Sequence, residues 1–299
     1  MGHPHISRVC ASRAMIVARR GLKPLALIAL CTMCGASLTL ARPLDDVVAS
    51  KTLKVTTYED NRPFAWTDGS EVKGIDVDIG WALAKELGVE AEIILRMQGE
   101  NVDDDIRANV WRGPLTGGGV GDVMLHVPTD RELAMRNKEA VIGNPYFLET
   151  IALAIDPKRV PATSDFQIFK KEKVSVKIGT VSDYFLMTFE DGALIENIAH
   201  HVKGPVGAKE FVNGETAALL GVRSETEGLL HDLGKTGDFI TPPMDGIVRK
   251  EWVIGMAVDE KSRDLGYALG AAVTKLRQSG ALKEIFAKYG VTYLPPPGS

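Results

Sequence analysis

Cysteine is almost absent from this chain of 299 residues, and its three cysteines, Cys10, Cys31 and Cys34, all lie near the amino terminus. The rest of the chain therefore has no disulfide, no thiolate metal site and no cysteine nucleophile. Acidic residues are missing from residues 1–41, which carry five Lys or Arg, so the formal charge of −4 becomes −9 for residues 42–299. A net negative body without a stripe of basic residues excludes nucleic acid as the expected partner.

The overall composition, 45% hydrophobic and 25% charged, is that of an ordinary folded protein. It excludes a disordered, collagen-like or multi-span membrane chain. A length of 299 residues is sufficient for one or two domains with a sizeable core.

The amino terminus has the order of a secretory signal peptide. Its basic start is followed by an apolar run from Pro24 to Ala41, with Thr39 and Ala41 at the −3 and −1 positions of a cut after Ala41. The pattern predicts export and cleavage near Ala41. Two alternatives stay open: an uncleaved membrane anchor, since 18 residues just suffice to span a bilayer, and a lipoprotein, although Cys31-Thr32-Met33 is a bulky approach to Cys34.

Segments typical of strands and helices alternate from residue 50 onward, which is the pattern of an α/β protein with mostly parallel sheets. The run from Asp76 to Leu87 predicts a helix, because carboxylates begin it, apolar residues recur every four positions and Gly88 ends it. Two helices separated by Ser279-Gly280 are expected near the carboxyl end. The expected strands are Leu53–Thr57, Val89–Leu95, Asp122–Leu125, Thr150–Ile155, Val174–Ile178, Thr216–Leu220 and Trp252–Val258.

Several short motifs occur in a recognisable order over almost all of residues 52–292. They are Leu53-Lys-Val, Arg62-Pro63-Phe64, Gly74-Ile-Asp-Val-Asp-Ile, Gly121-Asp122-Val-Met-Leu, Asn144-Pro145-Tyr146-Phe147, Lys177-Ile-Gly-Thr180-Val-Ser-Asp-Tyr184 and the closing run from Leu276 to Gly290. In this order they resemble the periplasmic solute-binding proteins of family 3, the amino-acid-binding type. No single motif is specific; their order is.

The resemblance implies an α/β fold of the two-lobed type II periplasmic-binding-protein class, with two hinge strands and a ligand cleft between the lobes. It places lobe 1 in residues 42–150 plus 254–299 and lobe 2 in residues 151–253, after a signal peptide in residues 1–41. The chain crosses near Phe147–Ala154 and returns near Val248–Met256. The implied protein is a periplasmic monomer and not an enzyme. It has no cofactor, and it presents a small solute to an ABC-type permease.

Two loops are expected to contact the solute. The loop with Thr180, Val181 and Ser182 follows a strand and opens a helix, where free backbone N–H groups favour a carboxylate or phosphate; its alternative role is a plain helix cap. In the family, the loop after Leu125 clamps a ligand carboxylate. The resemblance places Thr129 at its hydroxyl position and leaves either Arg131 or Arg136 as its arginine, a residue type that pairs with carboxylates through two hydrogen bonds. A surface ion pair is the alternative for either arginine.

The segment after the first strand supplies the other expected ligand contacts, Tyr58, Glu59, Arg62 and Phe64, where the family puts an aromatic and polar groups. Phe64 has an ordinary core position as its alternative. His126 is a further candidate to line the cleft, with a structural hydrogen-bonded role as the alternative. No metal site is expected, because the acids from Glu100 to Asp105 lack the glycine-punctuated spacing of a calcium loop.

One departure from the family bears on the ligand. Amino-acid binders have an aspartate after a strand of lobe 2 that accepts the ligand's ammonium group, whereas this chain has Val222 there, beside Arg223, and Ala217 at a second aspartate position. An unpaired buried ammonium costs several kcal/mol. We therefore expect an anionic or neutral polar solute instead of a standard α-amino acid, with Arg223 among its contacts.

Two further functions stay open. The run from Asp122 to Pro128 resembles the branch of this family found with quinoprotein (PQQ) alcohol dehydrogenases in methanol utilization, which implies an accessory role in the assembly or maturation of such a dehydrogenase. A few relatives resemble cyclohexadienyl (prephenate-type) dehydratases; an enzyme of that kind needs a general acid or base, for which His126, Glu59 and Asp130 are the candidates.

Overall fold

The computed structural model describes residues 41–163, 165–241 and 243–298. Within these ranges the chain forms nine α-helices and eleven strands. The helices are α1 Leu44–Ser50, α2 Ile75–Leu87, α3 Val102–Ile106, α4 Arg131–Arg136, α5 Val181–Thr188, α6 Gly204–Val212, α7 Arg223–Asp232, α8 Arg263–Gln278 and α9 Ala281–Lys288. The strands are β1 Thr52–Tyr58, β2 Trp66–Asp68, β3 Glu71–Lys73, β4 Glu90–Arg96, β5 Val123–Pro128, β6 Ala140–Ile155, β7 Val174–Lys177, β8 Ile198–His201, β9 Ala218–Val222, β10 Asp238–Ile240 and β11 Glu251–Asp259.

Local sequence signals explain where several helices begin and end. Helix α2 starts with Asp76 and Asp78 and stops at Gly88, whose φ of 72° is the left-handed conformation that glycine adopts without strain. Thr180 caps the start of α5, because its hydroxyl accepts a hydrogen bond from the Asp183 amide at 3.2 Å. None of the helices within the described residues is long and apolar enough to cross a membrane.

Nine strands form one sheet with the order β4-β1-β5-β11-β6-β9-β7-β8, and β10 pairs with β6. Strands β1, β4 and β5 are mutually parallel, as are β7, β8 and β9, whereas β11 and β6 run antiparallel to their neighbours. Parallel strands place their carboxyl ends, and the loops that follow, at one edge of the sheet. We call the β4-β1-β5-β11 half with the beginning of β6 the first lobe, and the β9-β7-β8 half with the end of β6 the second lobe.

Strand β6 belongs to both lobes. Residues Ala140 to Thr150 pair with β11, and Ile151 to Ile155 pair with β9. The chain returns beside this crossing, because the Ile151 amide donates to the Lys250 carbonyl at 2.8 Å and Glu251 is paired with Thr150. The expected pair of hinge strands is present.

Each lobe has a core of its own. The first contains aliphatic residues of β1 and α2 together with Phe147 and Phe286, and the second contains Phe166, Phe169 and Phe185. Trp252, half-buried on β11, contacts both cores. The fold is therefore two packed units joined by paired strands.

Two strands differ from the sequence expectation. The strand expected over Thr150–Ile155 extends back to Ala140, and the one expected over Thr216–Leu220 lies two residues later, at Ala218–Val222. Asn144-Pro145 interrupts the sequence pattern of a strand, so the sequence did not indicate that β6 begins at Ala140. Pairing with β11 on both sides of this dipeptide supplies the hydrogen bonds of the longer strand.

Candidate functional site

A cavity of about 250 Å³ lies at the carboxyl ends of β7 and β9, beside the hinge strands. This is the edge of a parallel sheet at which α/β proteins bind ligands. Its lining residues come from the β7–α5 loop, the β9–α7 connection and the two hinge segments: Ile151, Lys177, Thr180, Val181, Ser182, Leu220, Gly221, Val222, Glu225, Arg249 and Trp252.

The amino terminus of α5 provides hydrogen-bond donors to this cavity. Thr180 caps the helix, and its own hydroxyl donates to the Lys177 carbonyl at 2.8 Å. The amides of Val181 and Ser182 precede the first intrahelical hydrogen bonds, so they are free to bind an anionic group. The Ser182 hydroxyl makes no hydrogen bond within residues that the structure describes, although Ser182 is only 3% exposed. The hydroxyl is therefore available to donate to a molecule in the cavity.

The cavity walls are largely apolar. Ile151 and Leu220 are buried and Val222 and Trp252 half-buried around it. A wall of this kind buries the hydrocarbon part of a small molecule, while a few polar groups fix its orientation.

Two ion pairs lie at the rim. Lys177 Nζ is 3.3 Å from Glu225 Oε1, and Arg249 donates to Asp130 Oδ2 at 2.6 Å. Asp130 caps α4 by accepting from the Leu133 amide, and this hydrogen bond together with Arg249 holds the pKa of Asp130 below its usual value. Because Asp130 belongs to the first lobe, its pair with Arg249 connects that lobe to the cavity wall.

Thr129, the predicted hydroxyl of the first lobe, is attached to the same hinge. Its amide donates to the Val253 carbonyl at 2.8 Å, and its hydroxyl lies 3.4 Å from the same oxygen. The structure thus brings the loop of Thr129 and the loop of Ser182 to the hinge residues from Arg249 to Val253, although Thr129 does not itself line the cavity.

Neither of the two candidate arginines, Arg131 and Arg136, lines the cavity. Arg136 forms two hydrogen bonds of 3.2 Å with Asp103 on the exposed surface of the first lobe, which is the ion-pair alternative. Arg131, exposed at the first position of α4, has no carboxylate partner within the described ranges. Arg131 is therefore the candidate that remains available to a ligand.

The predicted contacts after β1 are divided between core and surface. The Tyr58 hydroxyl donates to Asp105 at 2.8 Å, and burial together with the Asp105 charge raises the pKa of Tyr58. Phe64 is 3% exposed and packs in the first core, as its alternative stated.

The other two, Glu59 and Arg62, lie nearer the surface. Glu59 is half-buried, with its amide bonded to the Arg96 carbonyl at 2.9 Å. Arg62 stacks over Trp66 and pairs with Asp232 of the second lobe at 3.4 Å. None of the four predicted residues after β1 lines the cavity.

His126 forms part of a buried polar network in the first lobe. It is the extra residue of a bulge between β5 and β11, where its φ of 62° turns the ring toward Phe64 and Asp76. Asp76 is fully buried and accepts from the Tyr146 hydroxyl at 2.7 Å and the Thr57 hydroxyl at 3.1 Å, with His126 Nδ1 also at 3.1 Å. This arrangement is the structural role that was its alternative.

Arg223, which was expected to favour an anion, pairs with Glu227 one helical turn along α7 at 2.9 Å. Its guanidinium also lies 5.4 Å from the Phe239 ring, in a different depression from the cavity. The basic group that does line the cavity from this side is Lys177, with Arg249 across from it.

Among the lining residues that sequence reasoning missed are Lys177, Glu225, Arg249 and Trp252. Lys177 ends a predicted strand directly before a predicted binding loop, and that position was the available signal. Trp252 reaches the cavity through the pairing of β11 with β6, and Arg249 lies just before β11, next to the hydrogen bond from the Ile151 amide to the Lys250 carbonyl; no local sequence pattern reveals this placement.

Helix α7, whose first turn lines the cavity through Glu225, also connects the second lobe to the first. The buried Glu149 of β6 accepts hydrogen bonds from the Ser224 amide and hydroxyl, which caps α7 from another element. Burial raises the pKa of Glu149 to about 7, although its hydrogen bonds with Ser224 and Thr150 lower it. The Thr292 amide and hydroxyl donate to Glu227 at 2.7 and 2.9 Å.

A larger depression of 480 Å³ contains Trp81 and Lys85, near the amino ends of β1 and β4. Parallel strands direct their carboxyl-terminal loops and the following helix amino termini to the opposite edge, so this depression, although it has Lys51 and Lys85 in its lining, lies away from the edge at which α/β proteins bind ligands. The cavity beside α5 is the better candidate.

No family model matches the sequence, and no curated protein matches it significantly. Solved structures do resemble it. An ancestral cationic amino acid solute-binding protein, AncCDT-1, aligns with a TM-score of 0.64 at 20% identity over 83% of this chain and 99% of that chain. Another structure of AncCDT-1 is described as a precursor of cyclohexadienyl dehydratase.

Two bacterial structures are also similar. Substrate-binding domain 2 of Lactococcus lactis GlnP, in an open conformation, aligns with a TM-score of 0.57 at 19% identity, over 84% of this chain and 98% of that one. An amino acid ABC transporter substrate-binding protein from Streptococcus pneumoniae Canada MDR_19A, bound to L-arginine, gives 0.54 at 19% identity, over 84% and 99%. These likenesses show the fold: the chain has the two-lobed α/β fold of solute-binding proteins.

Proposed function

We propose that this protein is an exported member of the family 3 solute-binding proteins that binds a small anionic solute at the cavity beside α5 and presents it to an ABC-type permease. The observation that carries the proposal is the position of Ser182, a residue 3% exposed whose hydroxyl makes no hydrogen bond within the described residues, beside the free amides of Val181 and Ser182 at the cavity wall. Together these donors form a carboxylate site at a helix amino terminus.

The proposed role is binding by a periplasmic monomer without chemical conversion. The candidate acids and bases His126, Glu59 and Asp130 are not among the residues that line the cavity. Asp130 is occupied by Arg249 and by the α4 cap, and His126 by Asp76. Groups held in this way serve the structure of the lobes, and they leave the cavity donors to bind a solute.

Thermal unfolding of the purified protein with a panel of small carboxylates, polyols and amino acids tests the proposal. A bound solute at a hundredfold excess over its Kd stabilises the folded state by about 2.7 kcal/mol, which raises Tm by about 5 to 10 °C for a chain of this size. Ser182→Ala should weaken binding of a carboxylate about tenfold, because one hydrogen bond to a charged group is lost. Ser70→Ala, on the exposed β2–β3 turn, is the matched control and should bind like wild type.

The proposal fails if no compound in the panel raises Tm. Failure combined with co-purification of a quinoprotein dehydrogenase would favour the accessory role, and turnover of prephenate by the purified protein would favour the dehydratase. A Ser182→Ala variant that binds with wild-type affinity would place the solute elsewhere.

A further inference from the structure

The cavity contains one carboxylate within the part of the chain that the structure describes, and that carboxylate is already paired. Glu225, in the first turn of α7, approaches Lys177, at the end of β7, with 3.3 Å between Oε1 and Nζ. Val222, which the sequence resemblance places at the ammonium-acceptor position of amino-acid binders, presents an apolar side chain to the same cavity. A ligand ammonium here therefore has no free acceptor.

We propose that Lys177 replaces the ammonium group of a ligand, so that the cavity selects short apolar carboxylates over the matching α-amino acids. The inference rests on the proposed function and names its substrate class. Lys177 is tethered to the cavity, and a tethered group competes at an effective concentration of the order of millimolar or above. A solute ammonium must displace it before it can reach Glu225.

The remaining features of the cavity agree with a monocarboxylate. The α5 amides and the Ser182 hydroxyl supply donors for one anionic group. Ile151, Leu220 and Trp252 supply an apolar wall for a short hydrocarbon chain. Arg249, the other cation that lines the cavity within the described residues, is paired with Asp130, and the unpaired Arg131 is not among the lining residues, so the lining itself offers no free cation to a second carboxylate.

The Lys177–Glu225 pair can be altered without harm to the fold. Both side chains are partly exposed, at 45% and 33%, and pairs of this kind contribute little to folding. Lys177→Met keeps the length of the side chain and removes its charge. Its Tm should stay within about 2 °C of wild type.

Calorimetric titration with matched pairs of probes tests the inference: butyrate and L-2-aminobutyrate, valerate and norvaline, caproate and norleucine. Wild type should bind the carboxylate of at least one pair about tenfold or more tightly than its amino acid, because the ammonium has no partner. Lys177→Met should free Glu225 and shift this ratio toward the amino acid by about tenfold or more.

Two controls separate this effect from a general change of charge. The Lys177→Met, Glu225→Gln double variant should lose the gain for amino acids, since the freed acceptor is gone. Lys171→Met removes an equal charge from the exposed surface of the same lobe and should leave every ratio unchanged.

A wild-type preference for the amino acids, or a ratio that Lys177→Met does not move, overturns the role of Lys177 while leaving the proposed function intact. Binding of none of the six probes, together with no hit in the thermal panel, overturns both. The two failures are thus distinguishable.

Discussion

The buried carboxyl group of Glu149 makes the stability of this protein depend on pH. Glu149 lies on β6 where the chain passes between the lobes, and it is 2% exposed. Ser224 donates to it from α7, and the Thr150 amide donates at 2.9 Å. Burial disfavours the charged form more than these hydrogen bonds favour it, so the pKa of Glu149 rises to about 7 from its ordinary 4.5.

The sign follows from proton uptake. Between pH 4.5 and 7 the folded protein keeps a proton on Glu149 that the unfolded chain has released, so the free energy of unfolding falls as pH rises through this interval. Each unit of pKa difference corresponds to about 1.4 kcal/mol, which gives a loss of about 3 kcal/mol in total. Below pH 4.5 and above pH 7 the contribution is constant.

Urea unfolding from pH 4 to 8.5, with wild type compared to Glu149→Gln, measures this contribution. Glutamine does not titrate, so the difference between the two unfolding free energies should move by about 3 kcal/mol in favour of the variant between pH 4.5 and 7. The charge of His126 acts on Glu149 in the opposite sense to burial, because it lowers the pKa of Glu149.

Glu251→Gln, on the exposed start of β11, is the matched control and should follow wild type at every pH. Parallel curves for wild type and Glu149→Gln across the whole range would refute the reasoning. They would mean that the hydrogen bonds from Ser224 and Thr150 compensate for burial in full.

Three further substitutions test packing and capping by urea unfolding. Arg42→Ala should lower the free energy of unfolding by about 2 to 3 kcal/mol, because the carboxylate of Asp122, which is 2% exposed, loses a partner that binds both of its oxygens. A loss below about 0.5 kcal/mol, which is typical of a surface ion pair, would contradict this. Gly228→Ala should lower the free energy of unfolding by about 1 to 2 kcal/mol, since the added Cβ would lie 3.0 Å from Pro63 Cβ where α7 meets the first lobe. A variant as stable as wild type would show that the two lobes separate there freely. Thr180→Ser should keep the α5 cap, whereas Thr180→Ala should lose about 1 kcal/mol; equal stability of the two variants would contradict the capping role.

Much of the fold could be predicted because its signals are local. The fourfold spacing of Ile79, Leu83 and Leu87 before Gly88 identified α2, since a helix needs one apolar face and a glycine stop. The length of β6 was missed, because Asn144-Pro145 interrupts the apolar pattern. Only pairing with β11 shows that the strand continues through them.

Some residues of the candidate site could likewise be predicted from local sequence, whereas others depend on tertiary contacts. Thr180 and Ser182 could be identified from their position between a strand and a helix, and the structure places both at the cavity. The roles of Arg136 and Arg223 depend on which carboxylate lies nearest, Asp103 in one case and Glu227 in the other. Sequence spacing does not fix such distances.

The sequence by itself determined the alternation of strands and helices, the cysteine-free body and the helix amino terminus that offers backbone amides, since each depends on neighbours along the chain. Only the tertiary structure decided that Lys177 meets Glu225, that Arg249 reaches Asp130 and that Glu149 is buried under α7. Pairing of charges and loss of water depend on distances between segments that are 48 to 119 residues apart. Those distances are set by the packing of two lobes around shared strands.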